Sequence, residues 1–190
     1  MAATSCIELL FAVGVAATLG AGATPGLLTA ADEIRAGGAA RLVAARLQQV
    51  RLRAISHARD TAVRFTQTPA GFAMTVYEDG NGNGVLSADI ASGLDRSVGP
   101  VEHLHDSFPG VEFGALPGIP GADGSTPPGN DPVRLGSSDG VTFTPAGTAT
   151  PGSLYIRGRG TAQYVVRILG ETGRTRILKY SVRTRAWLAP

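Results

Sequence analysis

Residues 7–31, IELLFAVGVAATLGAGATPGLLTAA, are apolar or small almost throughout, interrupted by one carboxylate, Glu8, and one proline, Pro25. As an α-helix rising about 1.5 Å per residue, such a run is long enough to cross the roughly 30 Å hydrocarbon core of a bilayer. A carboxylate at the edge of this segment needs a reason, because acidic groups cost ~2.5 kcal/mol or more at the centre of a membrane helix.

The remainder of the 190 residues leaves room for one modest domain. Its 26 glycines and 12 prolines, with only 6% aromatic residues, imply a loop-rich β domain with a thin core rather than a large enzyme. The single cysteine, Cys6, lies beside the apolar run, so the sequence carries no disulfide framework. Charge is unevenly spread. Residues 32–60 hold six arginines against three acids, residues 61–140 three arginines against ten acids, and residues 141–190 eight basic residues against one acid. An acidic middle followed by a basic end suggests an oriented partner surface.

Helix-forming residues continue past the apolar run. Val43, Leu47, Val50 and Ala54 fall on one stripe, flanked by Leu42 and Ile55, with Arg46 and Arg53 off it. The pattern predicts one helix over about residues 5–57, apolar all round in its first half (4–31) and amphipathic in its second (32–60). Pro25 removes a backbone donor and should kink or loosen the helix. Gly37-Gly38 is a soft spot, at ~1 kcal/mol per glycine relative to alanine, and the alternative is two helices joined there. Beyond Asp60 the period becomes two. TAVRFTQ (61–67) and FAMTVY (72–77) around the turn TPAG read as a β-hairpin. Residues 90–113 give only weak strand signals, and the Gly/Pro-rich run at about 114–140 reads as a flexible surface loop. Strand character returns in 140–145, 153–158, 161–169 and 174–182, whose last members predict an antiparallel meander packed on the amphipathic helix. The fold class is therefore α+β.

Several clusters are candidates for chemistry. Asp79, Asn81 and Asn83 followed by Gly84 match the first half of an EF-hand-type calcium loop, with Glu78 adjacent. Ile90 stands where the closing carboxylate belongs, so a plain Asn-Gly turn is the favoured reading and no cofactor is expected. Glu102, His103, His105 and Asp106 resemble a metal cluster only if a strand aligns both histidines, and solvated surface residues are the preferred reading. His57 suits the helix C-terminus or local packing. No nucleophile elbow, P-loop, paired-cysteine or HExxH motif occurs, and no enzymatic activity is expected. At the basic end, strand alternation puts Arg174 and Arg176 on one face, with Lys179, Arg183, Arg185, Arg157 and Arg159 nearby and Tyr180 and Trp187 adding aromatics. Arginine forks suit phosphate and aromatics suit bases, whereas the competing reading pairs these arginines with the acidic middle of a neighbouring subunit.

The early glutamate, a proline 17 residues later, the amphipathic extension and a small C-terminal sheet resemble type IV pilins and pseudopilins. The order of features is similar to the GspH/FimT family of minor pseudopilins: ELL at 8–10, Pro25, RLRAISHARDTAVRF, DGNGNG, VTFTPAGTATPGSLYI and GRTRI at 173–177. The resemblance implies a type IV pilin-like fold, with a transmembrane first helix half and a periplasmic β domain over 61–190. It implies a single-pass inner-membrane subunit that assembles, through Glu8 and Pro25, with other pilins or pseudopilins in a type II secretion pseudopilus or type IV pilus. A prepilin peptidase would remove leader residues 1–3, cutting between Ala3 and Thr4, with methylation of the new amino terminus; Glu8 would then be fifth and offset a neighbour's amino terminus. Ala3 stands where the family has glycine, Thr4 where it has phenylalanine, and the leader has no basic residue. In FimT-like members GRxR at this place accompanies DNA binding for uptake, which makes DNA an alternative partner for Arg174 and Arg176. A further alternative is a secreted β domain whose signal peptide ends at Ala21-Gly22-Ala23.

Overall fold

The structure is a computed structural model describing residues 5–122, 124, 126–136 and 140–190, with residues 16–25 described as helix backbone only. The leader positions Ala3 and Thr4 lie outside the described residues. Helix α1 runs unbroken over Cys6–His57, as one element rather than two. It ends at Ala58, whose left-handed backbone (φ 52°) lets its amide reach the carbonyl oxygens of Ala54 and Ile55. The stripe read from the sequence is the buried one: Val43, Leu47, Val50 and Ala54 all lie in the core, joined by Ala36, Ala39, Ala40 and Ala44. Each large member contributes ~1.5–3 kcal/mol by leaving water.

Gly37 and Gly38 do not loosen the helix; they let it approach the sheet. A Cβ on Gly37 would lie 3.1 Å from Tyr164 Oη, and one on Gly38 would lie 2.8 Å from the Phe108 ring. The propensity cost of two glycines is offset by close packing, which periodicity alone does not reveal.

Two antiparallel sheets cover the helix where one was expected. Strands β1 (Thr61–Thr68) and β2 (Gly71–Glu78) form the predicted hairpin in continuous register from Thr61↔Glu78 to Thr68↔Gly71. A short helix α2 (Ser87–Ser92), strands β3 (Arg96–Ser97) and β4 (Glu102–His103), and a single-turn α3 (Leu104–Ser107) follow. Both two-residue strands pair with β2. Next come β5 (Glu112–Phe113), β6 (Val133–Arg134) and β7 (Gly140–Phe143). Strand β7 joins β1 rather than the later meander, giving a first sheet ordered β3-β2-β1-β7. Gly140 permits this: a Cβ there would lie 2.7 Å from the Arg64 side chain. The meander β8 (Gly152–Arg157), β9 (Gln163–Leu169), β10 (Arg174–Ser181) and β11 (Ala186–Leu188) makes the second sheet, with β5 and β6 on β8. Its inner side chains Leu154, Ile156, Val166 and Ile168 pack with the helix stripe.

The run at 114–140, expected to be a free loop, is tied down where it is described. Ile119 is buried on the outer face of the second sheet with Tyr155, Val165, Leu178 and Tyr180. The Ala122 amide donates to Tyr155 Oη at 3.1 Å, and Trp187 Nε1 donates to the Pro120 carbonyl at 3.0 Å. Fully buried Gln163 takes the Leu116 amide at 2.8 Å and donates to the Gly114, Ile156 and Tyr164 carbonyls. A few apolar side chains between glycines and prolines suffice to anchor the segment, a signal the Gly/Pro count hides.

Candidate functional site: an uncovered helix and a basic strand

The helix leaves the head in a defined direction because two carboxylates clamp its exit. Asp32 accepts the backbone amides of Arg159 (2.8 Å) and Gly160 (2.9 Å) in the β8–β9 turn. At Gly158 a Cβ would lie 2.4 Å from Asp32 Oδ1, so a larger residue would have to displace the carboxylate. Glu33 receives the Tyr164 hydroxyl at 3.0 Å and the Lys179 ammonium at 2.6 Å. Burial first, then the Glu33 carboxylate, pushes the Tyr164 phenol up to about 12, so it stays a donor at any ordinary pH. Asp32 and Glu33 were not among the sequence candidates. Their place at the junction of the apolar and amphipathic halves was the available signal.

Beyond the clamp the large apolar side chains that are described lie exposed. Ile7 and Phe11 are each 76% exposed and Leu28 is 73% exposed, and Leu9, Leu10, Val13 and Leu27 are exposed too. Glu8 lies exposed in the first turn of the helix, near its positive end. Pro25 falls inside the helix without ending it. Among the described residues no helix is long and apolar enough to cross a membrane.

At the basic end, Arg174 and Arg176 are exposed on the outer face of β10, as alternation predicts. Lys179 is not with them. It falls on the opposite, helix-facing side and is held by Glu33, because odd and even positions of a strand point apart. Arg183 and Arg185 follow in the exposed β10–β11 turn, Arg185 with a left-handed backbone (φ 51°). Arg167, on β9, stands directly opposite Arg176 and was missed in the sequence because the register was not yet known. Arg157 is engaged by Glu112 at 2.7 Å. Among the described residues, Arg167, Arg174, Arg176, Arg183 and Arg185 make no ion pair, whereas the acidic middle is largely occupied at home. Glu78 holds Arg53 (2.7 Å) and His57 (3.2 Å), and Glu102 holds Arg46 (2.9 Å). Burial acts to raise the Glu78 carboxyl, but Arg53 and His57 outweigh it and leave it below the usual glutamate value.

The Asp79 loop turns inward. Asp79 is buried and accepts the amides of Asn81 (3.0 Å), Gly82 (2.8 Å) and Gly84 (2.9 Å). Burial raises its carboxyl, and these amides with that of Asn83 more than offset it, so it lies below the usual aspartate value. Burial, with the Asp79 charge behind it, holds neighbouring Asp60 above that value. The Asn81 and Asn83 amides donate to Asp89, and buried Asp95 takes the amides of Gly80 and Leu86. The loop is thus wound around two buried carboxylates, with its acceptors spent on its own backbone. His103 and His105 are not aligned by a strand, because the chain turns into α3 at Leu104; their rings are 5.1 Å apart and His105 contacts Asp106. Among the described residues no three metal-ligating side chains converge.

The second half of the long helix packs on antiparallel sheets, while the described apolar side chains at 7–15 and 26–28 are exposed. A family model described as type II transport protein GspH matches residues 39–173. The chain belongs to the GspH family. No curated protein and no solved structure gives a significant match. The GspH match spans the helix stripe, the hairpin, the Asp79 loop and the meander as far as Gly173. Glu8 and Pro25 lie before it, and Arg174, Arg176, Arg183 and Arg185 after it. GspH proteins are structural pseudopilins of type II secretion, and membership points to envelope association.

Proposed function

We propose that the protein is a minor pseudopilin of a type II secretion pseudopilus, held in the inner membrane by residues 4–31 with its head in the periplasm, and passing into the filament through that same helix. The observation that carries this is the exposure of apolar helix side chains such as Ile7, Phe11 and Leu28, which the head leaves uncovered. In a filament the neighbouring helices replace lipid, and Glu8 offsets the charged amino terminus of an adjacent subunit after a peptidase has cut between Ala3 and Thr4. Pro25 frees a carbonyl that lets the helix adjust as it leaves the bilayer. Replacing Glu8 by alanine is the test. The Glu8→Ala chain should reach the membrane in normal amount yet enter the pseudopilus at least ~10-fold less often, the scale of losing one buried charge pair. Equal incorporation would remove the role given to Glu8.

DNA is a second reading, favoured by the arginines at 174, 176, 183 and 185, which make no ion pair among the described residues. Binding through four phosphates should weaken with salt at a log–log slope of about −3 to −4. A flat salt dependence, or no binding at low salt, rejects it.

A further inference from the structure

The second sheet ends in a strand that is only partly covered. Strand β11 is three residues long and pairs with Lys179, Tyr180 and Ser181 alone. On the side away from β9, no strand among the described residues lies beside Arg174–Leu178. Among the described residues, no backbone hydrogen bond other than those of the β9–β10 ladder reaches Thr175–Leu178. An open edge of this kind is a template for an incoming strand.

Its flanking charges decide which strand. On the outer face the edge carries Arg174 and Arg176, and behind Arg176 stands its cross-strand partner Arg167, whose Nε is buried without a hydrogen-bond partner. Like charges directly opposite one another destabilise a sheet, and no carboxylate among the described residues relieves this pair. On the inner face the edge presents Thr175 and the half-buried Ile177, which packs against the core. A strand laid beside β10 would bring its side chains within about 5 Å of these positions, alternating between the two faces. A second copy of β10 is disfavoured, because its own arginines would meet Arg174 and Arg176.

We infer that the Arg174–Leu178 edge is a docking site for an extended acidic segment of another protein. That segment adds a strand to the second sheet, with carboxylates on the arginine face alternating with apolar or β-branched residues on the inner face. This goes beyond the pseudopilin reading and does not depend on it, since the edge lies in the head, far from Glu8 in sequence. It also differs from DNA binding, because a nucleic acid can use the arginines but not the strand's amides and carbonyls.

The experiment uses the full chain in detergent and a fluorescent peptide alternating glutamate with valine or threonine. Two derivatives are N-methylated at alternate residues, one on each set, since an edge strand uses only one of the two sets of amides. The expected result is saturable binding that slows amide exchange across Thr175–Leu178 and is lost with one methylated peptide but kept with the other. Binding should fall about tenfold in each of Arg174→Glu and Arg176→Glu. Both positions are exposed, and circular dichroism confirms that the variants fold. Equal binding of both methylated peptides would show a charge contact without strand addition. Protection elsewhere, no binding, or duplex DNA occupying the arginines while the peptide fails to bind would each overturn the proposal.

Discussion

A chain lacking residues 5–31 is expected to keep its folded head and to be absent from any assembled pseudopilus. The head should survive because the contacts that order it begin at the clamp. Asp32 binds the Arg159 and Gly160 amides, Glu33 binds Tyr164 and Lys179, and the buried stripe starts at Ala36. A helix opened at Asp32 would carry two acids in its first turn, where the helix dipole favours them by ~0.3–1 kcal/mol each. Among the deleted residues whose side chains are described, the large apolar ones are exposed and none belongs to either core cluster. Thermal unfolding of the shortened chain should therefore be cooperative, and co-purification with other pseudopilins should drop to background. A shortened chain that still co-purifies would place the assembly contacts on the head instead.

The second large effect is expected at Gly80. A Cβ there would lie 2.0 Å from the Leu94 carbonyl oxygen and 2.9 Å from its carbon. Both are backbone atoms, in the segment that delivers Asp95 to the Gly80 and Leu86 amides. Gly80→Ala must push that segment away and strip a buried carboxylate of its donors. Such a loss belongs at the upper end of single substitutions, ~3 kcal/mol or more, or about 6–12 °C in Tm for a protein of this size. Gly82→Ala is the internal control. Its φ of +83° is unfavourable for alanine, but a Cβ there meets nothing within 4 Å, so only ~1–2 kcal/mol of backbone strain is expected. Equal melting temperatures for the two variants would show that the loop yields more easily than its geometry implies.

Much of this architecture was legible because it depends on period. The stripe from Val43 to Ala54 and the hairpin at 61–78 each repeat a local pattern over enough residues to declare themselves. What escaped were features made by contact between distant residues. The Gly37-Gly38 pair looked like a weakness until Tyr164 and Phe108 were found against it. Residues 114–136 looked free because single plugs such as Ile119 have no periodicity. Lys179 was grouped with Arg174 and Arg176 by proximity in sequence, although strand alternation already separated them. The acidic middle looked like a surface for a neighbour's arginines until Glu78, Glu102 and Glu112 proved to be engaged within the same chain. Net charge per segment records how many charges there are and not which are already answered.

The assembly role of the N-terminal helix is tested most directly by site-specific photo-crosslinking from position 11 in cells that carry the secretion machinery. With a photoreactive residue in place of Phe11, illumination is expected to give adducts with the N-terminal helices of other pseudopilins, diminished when Glu8 is also replaced by alanine. Adducts with lipid alone, or a protein recovered outside the cell without residues 7–23, would contradict it.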